Sequence, residues 1–174
     1  MIYLKQKRQI LCLLVLLALS VSALCACTDY RLPPQRPEDF TLRFLEGEQV
    51  LGVVTLDELK SLPSKKKNMV TQSSSEGTLN NEFEGVPLSD VIKLIDPAIL
   101  EKYTQLTAYG ADGYFSRVKM SEVLEYSNVF IMYLNHDLLM KTVDGEDGSM
   151  RIVVCNDQFG QRFTNYLVDL VFEK

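Results

Sequence analysis

The chain is short of the residues from which many active sites are assembled. Among 174 residues there is one histidine, His136, and no tryptophan. A lone histidine leaves no persuasive general base for the serines that cluster at Ser73-Ser74-Ser75. Four cysteines occur, but Cys12 and Cys25 belong to an apolar leader. If Cys27 is lipidated, Cys155 is the only free thiol, which excludes an intrachain disulfide framework and a multi-cysteine metal site. There is no internal repeat, no glycine-rich phosphate loop and no HExxH motif. The acidic stretch Asp144-Gly145-Glu146-Asp147-Gly148 lacks EF-hand spacing and its distal glutamate, so it reads as an acidic turn.

Acidic residues are also missing before Asp29. Lys5, Lys7 and Arg8 form a basic start, and Ile10 to Ala26 is apolar and ends in small residues, the pattern of an export signal. Leu24-Cys25-Ala26-Cys27 resembles the bacterial lipobox, with Cys27 as the lipidated first residue of the mature chain. The alternatives are a plain signal peptide cut near Ala26 or an uncleaved anchor, for which the apolar run is short. Either way the domain is expected on the extracytoplasmic face, tethered to or released at a membrane. Cleavage before Cys27 lowers the formal net charge from −5 to about −8. Such a surface is repelled by phosphate backbones, so no nucleic-acid partner is expected.

The division follows as residues 1–26 for the signal, 27–40 for an extended tether with three prolines, and 41–174 for one domain. Thr41 to Leu45 and Val50 to Val54 alternate as strands around Gly47. Thr55 and Glu58 have capping-box spacing for a short helix that Leu62-Pro63 ends. Lys67 to Ser73 and Thr78 to Phe83 form a hairpin through Glu76-Gly77, with Met69, Thr71 and Ser73 facing one way. Gly85-Val86-Pro87-Leu88 then leads into a helix capped by Ser89, and Ser121 caps another short helix. Leu106 to Tyr109, Phe115 to Val118, Arg151 to Cys155 and Tyr166 to Phe172 read as strands. Val129 to Leu134 is an unbroken apolar run, expected to be a central strand covered on both faces. Many short strands with a few short helices and no regular alternation predict an α+β domain built on a β-rich mixed sheet. Cys155 is expected to be a small buried hydrophobe closing its strand, and His136 a surface turn residue.

The order of these pieces resembles the molybdopterin-binding domain of the sulfite-oxidase superfamily. Phe83-Glu84-Gly85-Val86-Pro87-Leu88-Ser89-Asp90-Val91-Ile92 is similar to that family's aromatic-x-Gly-Val-Pro-Leu segment. Ala111-Asp112-Gly113-Tyr114, Asn135-His136-Asp137-Leu138-Leu139 and Gly148-Ser149-Met150-Arg151-Ile152-Val153-Val154 resemble its later motifs, so the likeness runs from about Val50 to Phe172. By the family's geometry the resemblance implies a cleft at Ser73, Ser74, Ser75, Asp112, Tyr114 and Arg151.

The resemblance departs where the chemistry sits. Members holding molybdenum use a cysteine upstream of Gly-Val-Pro-Leu, whereas Val70 to Phe83 contains serines and no cysteine. Ser149 and Met150 replace a glycine and a proline, and Asn165-Tyr166 stands for the usual Lys-Trp. The family's cofactor is inserted in the cytoplasm, and exported members use a twin-arginine signal. Here Lys7-Arg8 offers no arginine pair. The expectation is therefore a lipid-anchored, non-catalytic module that binds a small ligand or a protein partner, without a metal or cofactor. The alternatives are a molybdopterin oxidoreductase with altered metal ligation, or an accessory lipoprotein of a membrane redox or transport complex.

Overall fold

Alternating apolar residues build two sheets that share one core. The computed structural model describes residues 40–73 and 77–174; the lipidation residue Cys27, the leader and Ser74-Ser75 lie outside them. Thr41–Glu46 (β1) buries Leu42 and Phe44 and turns at Gly47 (φ +60°) into Gln49–Thr55 (β2). β1 then pairs in parallel with the last strand, Leu167–Glu173 (β11), which is flanked in turn by Gln105–Gly110 (β5) and Phe115–Lys119 (β6). The order is β2-β1-β11-β5-β6. Across the parallel pair Arg43 donates from Nε and Nη2 to the two carboxylate oxygens of Asp169, at 2.6 and 2.7 Å. This planar fork fixes the register Arg43↔Asp169.

The second sheet runs Lys65–Ser73 (β3), Gly77–Pro87 (β4), Val129–Asn135 (β7), Leu138–Lys141 (β8) and Asp147–Ser149 (β9). Arg151–Val154 (β10) also pairs with β7. As its sequence predicts, β7 is buried on both faces, and its period of two sorts the side chains. Val129, Ile131 and Tyr133 join the main core with Leu42, Phe44, Val86, Leu170 and Phe172 from both sheets. Phe130 and Met132 point the other way, into a smaller cluster with Phe83 and Val153.

Among the described residues, four short α-helices fill the connections: Leu56–Ser61 (α1), Leu88–Ile95 (α2), Ile99–Lys102 (α3) and Met120–Leu124 (α4). The capping box of α1 is formed, Thr55 Oγ1 accepting from Glu58 N–H at 3.2 Å and Glu58 Oε2 accepting from Thr55 N–H at 2.8 Å. Two expected caps are corrected. β4 does not stop at Phe83 but continues to Pro87, still in register with Phe130, so α2 starts at Leu88 and Ser89 lies inside its first turn. Pro87 occupies the N-cap position and has no side-chain hydrogen bond to give. Likewise α4 starts at Met120, and Glu122 Oε2 accepts from the backbone N–H of Lys119 at 2.9 Å, leaving Ser121 one position inside. The described structure is thus α+β, β-rich, with two sheets and one parallel strand pair.

Candidate functional site

Strand alternation places Arg151 and Val153 on one face of the second sheet, and Cys155, half-buried, follows just past the strand's end. Val153 is buried in the Phe83 cluster, with Cys155, Met69, Met140 and Phe163 packed around it. Arg151 lies over the same aromatic base, its guanidinium carbon 5.0 Å from the centre of the Phe83 ring. Burial pushes the guanidinium down from its ordinary value, with the nearby Tyr166 acting in the opposite direction. Arginine nonetheless remains charged in a protein. Its Nε is buried with no hydrogen-bond partner, and so is Oδ1 of Asn135. Asn135 is tied from behind: its Nδ2 donates to Asn81 Oδ1 at 3.0 Å, and Asn81 Nδ2 donates to Thr71 Oγ1 at 2.9 Å.

Asn135, Met140, Lys141, Arg151, Asn165 and Tyr166 line one cleft of about 630 Å³. That volume falls within the usual range for a small-molecule site. Its other charges have partners, Lys141 with Asp147 at 2.7 Å, and Asp137 with Lys66 at 2.6 Å, an ammonium that Glu82 shares at 2.8 Å. Among the described residues, Arg151 has no carboxylate partner. The wall also carries Tyr166 at φ +52°, a conformation that a bulky L-residue adopts only when its surroundings impose it. The neighbours do so: Tyr166 O accepts from Ala111 N–H at 2.8 Å, and the following Leu167 N–H donates to Met150 O at 2.8 Å.

A second cleft, of about 590 Å³, lies beside β3 and is lined by Lys67, Met69, Cys155, Asp157 and Phe159. Burial pushes the Cys155 thiol up from its ordinary value, with Lys67 opposing. Such a thiol stays protonated near neutrality and is a poor nucleophile and metal ligand.

Arg162 binds Asp157 of this lining, and nothing in its loop sequence singles it out. Its guanidinium donates to Asp157 at 2.8 and 2.6 Å and to Glu122 at 2.9 and 2.7 Å, tying the 156–165 loop to α4. Arg162 holds the Glu122 carboxyl below its ordinary value. Lys102 and the Tyr103 hydroxyl, 2.8 and 2.6 Å away, hold Glu46 down at about 2. A carboxylate depressed in the folded state contributes stability above its unfolded value, and that contribution fades as pH falls through the folded value. The melting temperature should therefore stay level down to about pH 4.5 and decline steadily toward pH 2. The Glu122→Gln variant should lose part of that acid slope in pH-resolved thermal melts.

Of the residues the resemblance assigned to a cleft, Arg151 lines the 630 Å³ cleft, whereas Ser73, Asp112 and Tyr114 are not in its lining. Ser73 ends β3 in register with Gly77 at the hairpin tip, and Ser74 and Ser75 fall outside the described residues. Asp112 accepts from the backbone N–H of Tyr114 at 3.0 Å in an exposed β5–β6 turn. The Tyr114 hydroxyl donates to Gln161 O at 3.2 Å. Asn135 and Tyr166 stand in motif-like segments without being assigned to the cleft, and Asn81, which braces Asn135, has no motif to mark it.

No family model matches the chain, and no curated protein matches it in sequence. Among solved structures it is similar to the sulfane dehydrogenase SoxCD from Paracoccus pantotrophus, with a TM-score of 0.57 and 18% identity. The match covers 78% of this chain and 38% of that one, so it spans well under half of the neighbour's length. At that identity the likeness shows a shared fold and nothing of activity.

The residues present do not suit a molybdenum-bearing pterin. A soft metal wants a thiolate, and the β3–β4 hairpin has none in its sequence. Cys155 is held as a thiol against the Phe83 cluster. Among the described residues no group of three histidine, cysteine, aspartate or glutamate side chains could hold a metal ion.

Proposed function

We propose that this chain is a lipid-anchored, extracytoplasmic binding module on a sulfite-oxidase-type scaffold, which uses its cleft to hold a ligand without molybdenum catalysis. The observation that carries the reading is a cleft of small-molecule size whose wall holds a half-buried arginine with no carboxylate partner among the described residues, and no thiolate. A retained scaffold licenses no particular chemistry by itself, so the cleft's own side chains decide what it can hold. The basic start, apolar stretch and lipobox-like Leu24-Cys25-Ala26-Cys27 support anchoring through Cys27. An acidic mature chain leaves nucleic acid as a poor partner.

Metal analysis of the chain purified from membranes of its native host tests the reading. The expected result is molybdenum far below one atom per chain. One molybdenum per chain, retained through gel filtration, would replace the binding module with the oxidoreductase alternative.

A further inference from the structure

We infer that the open edge of β3, where it borders the 590 Å³ cleft, binds an extended acidic segment of a partner protein as an added strand. The two clefts share no lining residue, so this site stands whether or not the 630 Å³ cleft is filled. A sheet edge exposes a row of backbone N–H and C=O groups that another chain can pair with, and proteins usually guard it. The edge of β6 is guarded by Arg162, whose Nη1 donates to Arg117 O at 3.4 Å. β2 is broken by the register shift opposite Phe44 and Leu45, and β9 spans only Asp147–Ser149. β3 differs. Lys65–Ser73 pairs with β4 alone, and among the described residues no hydrogen bond reaches its outward backbone groups.

Lys67 and Met69 point onto the sheet face that carries Phe83 and Phe130, whereas Asn68 and Val70 point to the other. A cleft lined by all four therefore reaches the strand's backbone at its open edge. Phe159 stands across the cleft, its ring exposed and its backbone at φ +59°, a conformation that a bulky residue adopts only under constraint. Its loop is held on either side: Asn128 Oδ1 accepts from Asn156 N–H at 3.1 Å, and Arg162 grips Asp157. Gly160 closes on the strand at Thr71, where a Cβ would lie 3.2 Å from Thr71 Cγ2. Lys65 to Val70 is left open, about the length of an ordinary strand.

The charge of the occupant follows from the lysines. Lys66 is already engaged by Glu82 and Asp137. Lys65 and Lys67 lie on the cleft face, and neither has a carboxylate partner among the described residues. Lys65 Nζ donates to the Tyr126 hydroxyl at 3.0 Å, and Lys67 Nζ sits 5.1 Å from the centre of the Phe130 ring. Asp157, the acid of the lining, has both oxygens taken up by Arg162 at 2.8 and 2.6 Å. A neutral strand added here would strip water from the two ammonium groups without replacing it. Carboxylates set opposite them form cross-strand pairs instead, and an apolar residue beyond them fills the space between Met69 and Phe159. The lysines thus turn away neutral and basic strands and admit an acidic one.

The test uses the full chain in neutral detergent at about 0.15 M sodium chloride, which screens the chain's overall negative charge beyond about 8 Å. The probe is an eight-residue peptide of alternating glutamate and valine, followed by calorimetry and amide hydrogen exchange. Saturable one-to-one binding is expected, with protection of the β3 amides between Lys66 and Val70. A lysine–valine peptide of the same length should bind at least about tenfold more weakly. The acidic peptide methylated at every backbone nitrogen should not bind, because it keeps the charges but cannot pair as a strand. That arm needs no variant, so it is independent of any folding defect. In the Lys65→Glu/Lys67→Glu variant the preference between the two peptides should reverse. Phe159→Gly should bind the acidic peptide about tenfold more weakly yet melt close to the parent, since glycine takes φ +59° without strain. No saturable binding of the acidic peptide, equal binding of its methylated form, or an unchanged preference in the double variant would each overturn the site. A chain that sediments as a dimer without peptide, with the same β3 amides protected, would give the edge to a second copy and overturn it too.

Discussion

Replacing Gly85 by alanine should lower the melting temperature by roughly 10 °C, a loss of about 3 kcal/mol or more. A Cβ at Gly85 would sit 2.2 Å from the carbonyl oxygen of Ile131 and 2.6 Å from Cα of Met132. Both are backbone atoms of β7, and they cannot retreat without breaking the β4–β7 pairing that carries Val86↔Ile131 and Pro87↔Phe130. The register shift between Glu84 and Gly85 lies at this point, where β4 closes on β7. Gly52→Ala is the matched comparison: its Cβ would meet the side-chain atoms of Ile95 at 2.5 Å, and a flexible side chain can move aside. A melt of Gly85→Ala near that of Gly52→Ala would show that β7 yields more than close packing permits.

Gly85 also shows what the sequence could disclose and what it could not. Its place in Phe83-Glu84-Gly85-Val86-Pro87 was legible as a motif, but the motif read as a lead into a helix. The structural reason, a strand pressed flush on a partner 46 residues later in the chain, is tertiary. Elements specified by local chemistry were legible. The Thr55–Glu58 box starts α1, the alternation at Met69-Val70-Thr71 sets one hairpin face, and the apolar run of β7 demands burial on both sides. β8 was missed because Leu138-Leu139-Met140-Lys141 has no alternation and becomes a strand only by pairing with β7 and β9. The candidate site divides in the same way. Arg151 stood out through its position in a motif-like strand. Asn135 and Tyr166 are ordinary turn and strand residues until the fold brings them to one cleft, where Asn81 braces Asn135 from behind. Arg162 is likewise a polar loop residue whose partner Glu122 lies 40 positions away.

Phe83→Ala should cost about 3–5 kcal/mol, and it tests the cleft and the fold together. Phe83 is fully buried, packs edge-on to Phe163 at 6.2 Å, and forms the base on which Arg151 rests. Truncation would open a void beneath the 156–165 loop and remove the aromatic face that offsets part of the arginine's desolvation. Phe83→Leu separates these effects, since it keeps most of the apolar volume while deleting the ring. It should lose no more than about 1.5 kcal/mol in denaturant melts. A loss in Phe83→Leu close to that of Phe83→Ala would mean that the ring itself, through its contacts with Phe163 and the Arg151 guanidinium, holds this part of the fold.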